Sequence, residues 1–93
     1  MQDKYLLAIG NGNLLTGMEL VRDLAREIEF ARAKHPVFAE GIYQALGRVG
    51  AEYGELVQAV EKGMPQEETA KEAMHLIVTA VRMLNGEHGK CLD

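Results

Sequence analysis

A single cysteine, Cys91, leaves no partner for an intrachain disulfide, so a reduced, cytoplasmic setting is the expectation. No apolar run approaches the ~18 residues that a membrane-crossing helix requires, which excludes a helical span. The start of the chain lacks the basic segment, the longer apolar stretch and the small-residue cleavage pattern of a secretory signal, although Tyr5 to Ile9 is briefly apolar. Basic clusters are missing as well. Ten Lys and Arg against 14 Asp and Glu give a net charge of −4, which argues against binding a nucleic-acid polymer through its phosphates but not against a nucleotide held through a metal. No internal repeat and no low-complexity linker divide the 93 residues. They are enough for one domain with one core, and few enough that self-association is a natural source of further buried surface.

What is present is mostly helical signal. Residues 1–15 are the exception: the apolar Tyr5 to Ile9 runs into Gly10-Asn11-Gly12-Asn13, a turn signal, so this part is expected to be a strand or an arm laid over the rest. The Gly-Asn run lacks the Lys-Ser/Thr ending of a phosphate-binding loop and the spacing of a dinucleotide fingerprint. Thr16-Gly-Met-Glu19 is a capping-box pattern and predicts a helix start. Val21, Leu24, Ile28 and Ala31, with Met18 and Ala25 beside them, then recur at helical spacing, while Arg22, Arg26, Glu29 and Arg32 fill the other side. His35-Pro36 ends that helix, because the residue before a proline is pushed out of helical conformation.

After a short connection containing Phe38, a second helix is expected from about Gly41 to Lys62, with Ile42, Leu46, Val49, Tyr53, Leu56 and Val60 as its main stripe. Gly47, Gly50 and Gly54 share a neighbouring face, and each costs about 0.5–1 kcal/mol against alanine in a helix interior. Either a backbone or ligand approaches there, or the helix is locally weakened. Gly63 suits the left-handed position after a helix and Pro65 the first turn of the next, which is expected over about 65–85 and stops at Asn85-Gly86. From Ala73 to Leu84 nine of twelve residues are apolar, so this helix should be enclosed on more than one side, by its own chain or by a second subunit. Glu87 to Asp93 has no periodicity and is expected to be a flexible tail. The fold class is therefore all-α, an antiparallel helical bundle completed by dimerisation.

The chemistry lies between Glu52 and His75. Glu52-x-x-Glu55 and Glu72-x-x-His75 are i, i+3 pairs, so each pair lies on one side of its helix, and the Gly63-Met64-Pro65 turn between them lets antiparallel helices bring both to one point. Such a pair alone is the ordinary pattern of a solvated helix face. Here, however, Glu52 borders the apolar stripe beside Ala45 and Ala59, and Glu72 falls among Leu76, Thr79 and Met83. A carboxylate partly out of water wants a cation, either a basic side chain or a metal. A divalent-metal site is the reading.

Around these residues, Arg48-Val-Gly-Ala-Glu52-Tyr-Gly-Glu55-Leu, followed after the turn by Lys71-Glu72-Ala-Met-His75, resembles the MazG-type all-α nucleoside triphosphate pyrophosphohydrolases. That superfamily also includes phosphoribosyl-ATP pyrophosphatases and dimeric dUTPases, and its signature is E-E-x-x-E, a spacer, then E-x-x-D. The resemblance covers roughly residues 17–86. It implies Mg²⁺ held by Glu52, Glu55, Glu72 and the residue at 75, with hydrolysis of a nucleoside triphosphate to the monophosphate and pyrophosphate in a homodimer or homotetramer. Arg48 stands where relatives often carry a base just before the motif. Arg48, Lys71 and Arg82 are the candidates for touching phosphate oxygens; each is also the ordinary pattern of a solvated surface charge.

Two positions depart from the signature: Ala51 replaces the first acid of the doublet and His75 the closing aspartate. Mg²⁺ prefers hard oxygen ligands, whereas imidazole suits Mn²⁺ and other transition metals better. The site then uses a softer metal, or His75 sits beside three glutamates that hold it, or catalysis is lost and a binding or dimerisation module remains. Glu72-x-x-His75 also matches the motif of di-iron carboxylate bundles, which a symmetric dimer would complete with Glu52 or Glu55. His35 and His88 are assigned no catalytic role.

Overall fold

A computed structural model describes residues 15–89, and the expected N-terminal strand or arm, Cys91 and the end of the tail lie outside them. Three helices follow one another: α1, Gly17–Lys34; α2, Ile42–Glu61; and α3, Gln66–Leu84. A 3-10 turn, Glu87–Gly89, closes the described chain. The fold is all-α, with no strand among the described residues, and no helix there is long and apolar enough to cross a membrane.

Local chemistry sets the boundaries. Thr16 Oγ1 accepts from the Glu19 N–H at 3.2 Å and the Glu19 carboxylate accepts from the Thr16 N–H at 2.9 Å, the reciprocal capping box. At the other end α1 stops at Lys34, ahead of Pro36. Gly63 takes φ +66°, where a side chain would be strained, and reverses the chain between α2 and α3. The pair is an antiparallel helical hairpin, and α1 lies against α3.

Two small apolar clusters hold these elements. Met74 and Val78 of α3 are buried against Leu24, Ile28 and Ala31 of α1. Phe38 and Ala39 of the connection pack with Ala45 of α2 and Met83 of α3. Met18 and Val21, expected in the α1 stripe, are instead exposed; the residues that meet α3 are Leu24, Ile28 and Ala31.

The largest revision concerns α2. Within one chain its buried residues are Ala45 and Ala59, whereas Ile42, Leu46, Tyr53 and Val60 of the expected stripe are each more than half exposed. Small alanines let α2 and α3 approach closely, and this turns the larger side chains away from the hairpin. At Gly47, Gly50 and Gly54 an added Cβ would meet nothing within 4 Å, so no part of the described chain makes the close approach that these glycines suggested. On α3, Met74, Val78 and Arg82 are buried by the rest of the described chain, while Ile77 and Leu84 are exposed.

The expected flexible tail is corrected over its first residues. Gly86, at φ +73°, turns the chain so that Glu87 is buried, and the His88 carbonyl accepts from the Gly41 N–H at 2.9 Å. Gly41 is the N-cap of α2, at φ +95° and without a side-chain cap, so the terminal turn supplies a backbone acceptor at the entrance to α2.

Candidate metal centre

The hairpin register aligns the acidic pairs. Glu52 stands eleven residues before Gly63 and His75 eleven after Met64; Glu55 and Glu72 stand eight residues from the same positions. In an antiparallel hairpin, residues equally far from the turn sit at the same level, so α2 and α3 bring these four positions to one stretch of their shared face. One donor atom each from Glu52, Glu72 and His75 then falls within 4.8 Å of the other two. Glu52 and Glu72 are half-buried, and His75 reaches solvent.

The electrostatics are unresolved without a cation. Glu52 Oε2 and Glu72 Oε1 are buried and accept no hydrogen bond, and His75 Nδ1 lies 3.4 Å from Glu72 Oε1 without forming one. Burial pushes the Glu52 carboxyl upward, the neighbouring Glu55 and Glu72 push it further, and His75 opposes them. Two carboxylate oxygens out of water with no donor are costly in any fold. A divalent ion fits this donor set. Metal–ligand bonds of about 2.0–2.2 Å put neighbouring ligands roughly 3 Å apart and opposite ones roughly 4 Å apart, so donors that all lie within 4.8 Å of one another can share one ion after a small side-chain shift. The solvent side of His75 leaves room for further ligands.

The expected site residues divide into three groups. Glu52, Glu72 and His75 converge. Glu55 and Arg48 line the groove beside them, but Glu55 is exposed and outside the three-donor group. Lys71 and Arg82 do not serve as expected. Lys71 pairs with Glu68 on its own helix at 3.2 Å and is not part of the groove wall.

Arg82 is 3% exposed, and its guanidinium is fully engaged. Nε donates to Glu87 at 2.7 Å, Nη1 to the Ala31 carbonyl at 3.2 Å and Nη2 to the His35 carbonyl at 2.7 Å, while the group lies 5.0 Å from the centre of the Phe38 ring. An arginine so placed satisfies the last carbonyls of α1, and although it lines the groove its three nitrogens already donate within the chain.

The groove, about 990 Å³, is also lined by residues that had no expected role in the site. Glu27, Phe30 and Lys34 reach it from α1, and His35 and Val37 from the connection. Phe30 is 59% exposed. An aromatic standing off the apolar stripe of α1 was the one available signal, and it becomes meaningful only because α1 lines the same groove as Glu52 and His75.

No family model matches the chain, and neither a curated protein nor a solved structure matches it.

Proposed function

We propose that the chain is a metal-dependent nucleoside triphosphate pyrophosphohydrolase, converting a nucleoside triphosphate and water to the monophosphate and pyrophosphate. The observation that carries this reading is the convergence of Glu52, Glu72 and His75, with two unpartnered carboxylate oxygens, beside a groove that Glu52 and His75 line together with Arg48 and Lys34. Glu52, Glu72 and His75 would hold the ion. When bound, a divalent cation offsets the triphosphate's charge and lowers the pKa of the attacking water.

The chain's own residues account for the rest. Arg48 of α2 and Lys34 of α1 both line the groove and offer positive charge to the phosphates. Glu55, beside the donor group but not in it, is placed to accept the water's proton as its oxygen bonds to the α-phosphorus. The bond from that phosphorus to the bridging oxygen breaks, and pyrophosphate leaves. The exposed Phe30 ring provides a face for the base, and the groove has the volume of a nucleotide-sized site. The exposed apolar residues of α2 support a homodimer or homotetramer closed across that helix. A reduced cytoplasm is the setting in which we place this activity.

The test is a pyrophosphate-release screen over common and damaged nucleoside triphosphates, with Mg²⁺ and Mn²⁺ in parallel. Release with matching monophosphate, abolished in Glu52→Gln and Glu72→Gln, supports the enzyme. Metal and nucleotide binding without turnover in any well replaces it with a binding module of the same fold.

A further inference from the structure

The sharpest departure in the donor set is its nitrogen. His75 occupies the same level of the hairpin as Glu52, its imidazole lies 3.4 Å from a buried Glu72 oxygen that accepts no hydrogen bond, and its side chain is 45% exposed on the groove wall. We propose that this centre selects a borderline first-row divalent ion over Mg²⁺, with the His75 imidazole as a direct ligand beside Glu52 and Glu72. The inference rests on the metal reading above and narrows it to a class of ion.

Coordination chemistry decides the direction. Mg²⁺ demands a near-ideal octahedron of hard oxygens and gives up water reluctantly, so a two-carboxylate, one-imidazole face is a poor match for it. Mn²⁺, Fe²⁺, Co²⁺ and Zn²⁺ accept imidazole and tolerate mixed sets, with affinity rising along the series through Co²⁺. An aspartate at 75 would restore an all-oxygen face. Among the described residues no other His, Cys, Asp or Glu brings a donor into the group, since Glu52, Glu72 and His75 alone lie within 4.8 Å of one another. The donors that converge among the described residues are thus two carboxylates and one imidazole, a mixed set that favours the softer ions.

The experiment uses the full chain and Mn²⁺ alone, with no nucleotide. Mn²⁺ binding is followed by continuous-wave electron paramagnetic resonance, with Mg²⁺ as competitor, and the ligands are identified by nitrogen coupling in the pulsed spectrum. The expected result is a bound Mn²⁺ that shows imidazole coupling and resists displacement by a large excess of Mg²⁺.

His75→Ala should remove the coupling and weaken Mn²⁺ binding at least about tenfold, since even outer-shell losses cost about 10–100-fold in affinity. His75→Asp should bind Mn²⁺ without the coupling and move the preference toward Mg²⁺. Both substitutions fall on an exposed side chain, and their thermal melts serve as the folding control. Mn²⁺ bound without nitrogen coupling and unchanged in His75→Ala overturns this inference while leaving a glutamate-held metal. Absence of any bound Mn²⁺ in the native chain overturns both.

Discussion

Arg82 Nε donates to Glu87 Oε1 at 2.7 Å, and the two side chains are all but closed to solvent, at 3% and 1% exposure. Glu87 also accepts from Arg32 Nη2 at 2.6 Å and from Asn85 Nδ2 at 2.8 Å. One carboxylate thus ties the terminal 3-10 turn to α1 and α3 together. Removing one member of a buried pair leaves the other charge uncompensated, at a cost of about 3–5 kcal/mol. Glu87→Gln, which keeps the shape and loses the charge, should destabilise the fold by about 3 kcal/mol in urea unfolding followed by circular dichroism.

The same cluster sets an acid limit. Burial pushes the Glu87 carboxyl upward, but hydrogen bonds from Arg32, Asn85 and Arg82 outweigh it and hold the group at about 2, below its ordinary 4.5. A depressed folded pKa contributes stability that is complete above the unfolded value. Stability should therefore fall as pH drops from about 4.5 toward about 2. Glu87→Gln should flatten that part of the profile, and an unchanged slope would show that the loss arises elsewhere.

Glu52 works in the opposite sense. Its folded pKa is raised by burial and by Glu55 and Glu72, so the fold binds its proton more tightly than the unfolded chain does. Stability is present below the unfolded value and is lost as pH rises through the raised one. Without metal at neutral pH, Glu52→Gln should therefore stabilise the protein by on the order of 1 kcal/mol, the low end of the cost of an unsatisfied buried polar group. In the native chain, metal at a hundredfold over its dissociation constant should add about 2.7 kcal/mol. The variant should lose that increment, which thermal melts with and without chelator would measure.

Phe30→Ala separates substrate binding from folding, because the ring is 59% exposed and supports neither apolar cluster. Stacking on an aromatic side chain is worth about 1–3 kcal/mol per base. The substitution should raise KM about tenfold or more, with kcat and melting temperature little changed. A fall in kcat at constant KM would remove Phe30 from base recognition.

Leu46, 56% exposed on the outer side of α2, tests self-association. Leu46→Glu should convert a dimer to a folded monomer in sedimentation analysis, since a charge at an apolar contact is costly to desolvate. Sedimentation of the native chain as a monomer would count against an interface across α2.

Helix limits were legible in the sequence because their causes are local. Thr16 and Glu19 close a capping box three residues apart, Pro36 acts on its predecessor, and Gly63 supplies its own backbone angle. The convergence of Glu52, Glu72 and His75 was legible for a related reason: a short turn fixes the register of an antiparallel pair. The buried face of α2 was not legible, since large apolar residues and small alanines both recur at helical spacing and tertiary contact chose the alanines. Arg82 and Glu87 were unreadable as partners. Glu87 lay in a stretch without periodicity, and the other contacts of Arg82, Ala31 and His35, are 51 and 47 residues away. Phe30 and Lys34 line the groove only through the placement of α1 against α3.

The hydrogen bond from Gly41 to the His88 carbonyl has an architectural consequence. The segment between α1 and α2 forms one side of the groove, and its far end is moored to the last described turn of the protein. Ending the chain ahead of Glu87 would cut that mooring and strip Arg82 of its carboxylate partner at once, leaving only the Ala31 and His35 carbonyls to hold the guanidinium, so in a shortened protein the groove should lose a firm rear wall.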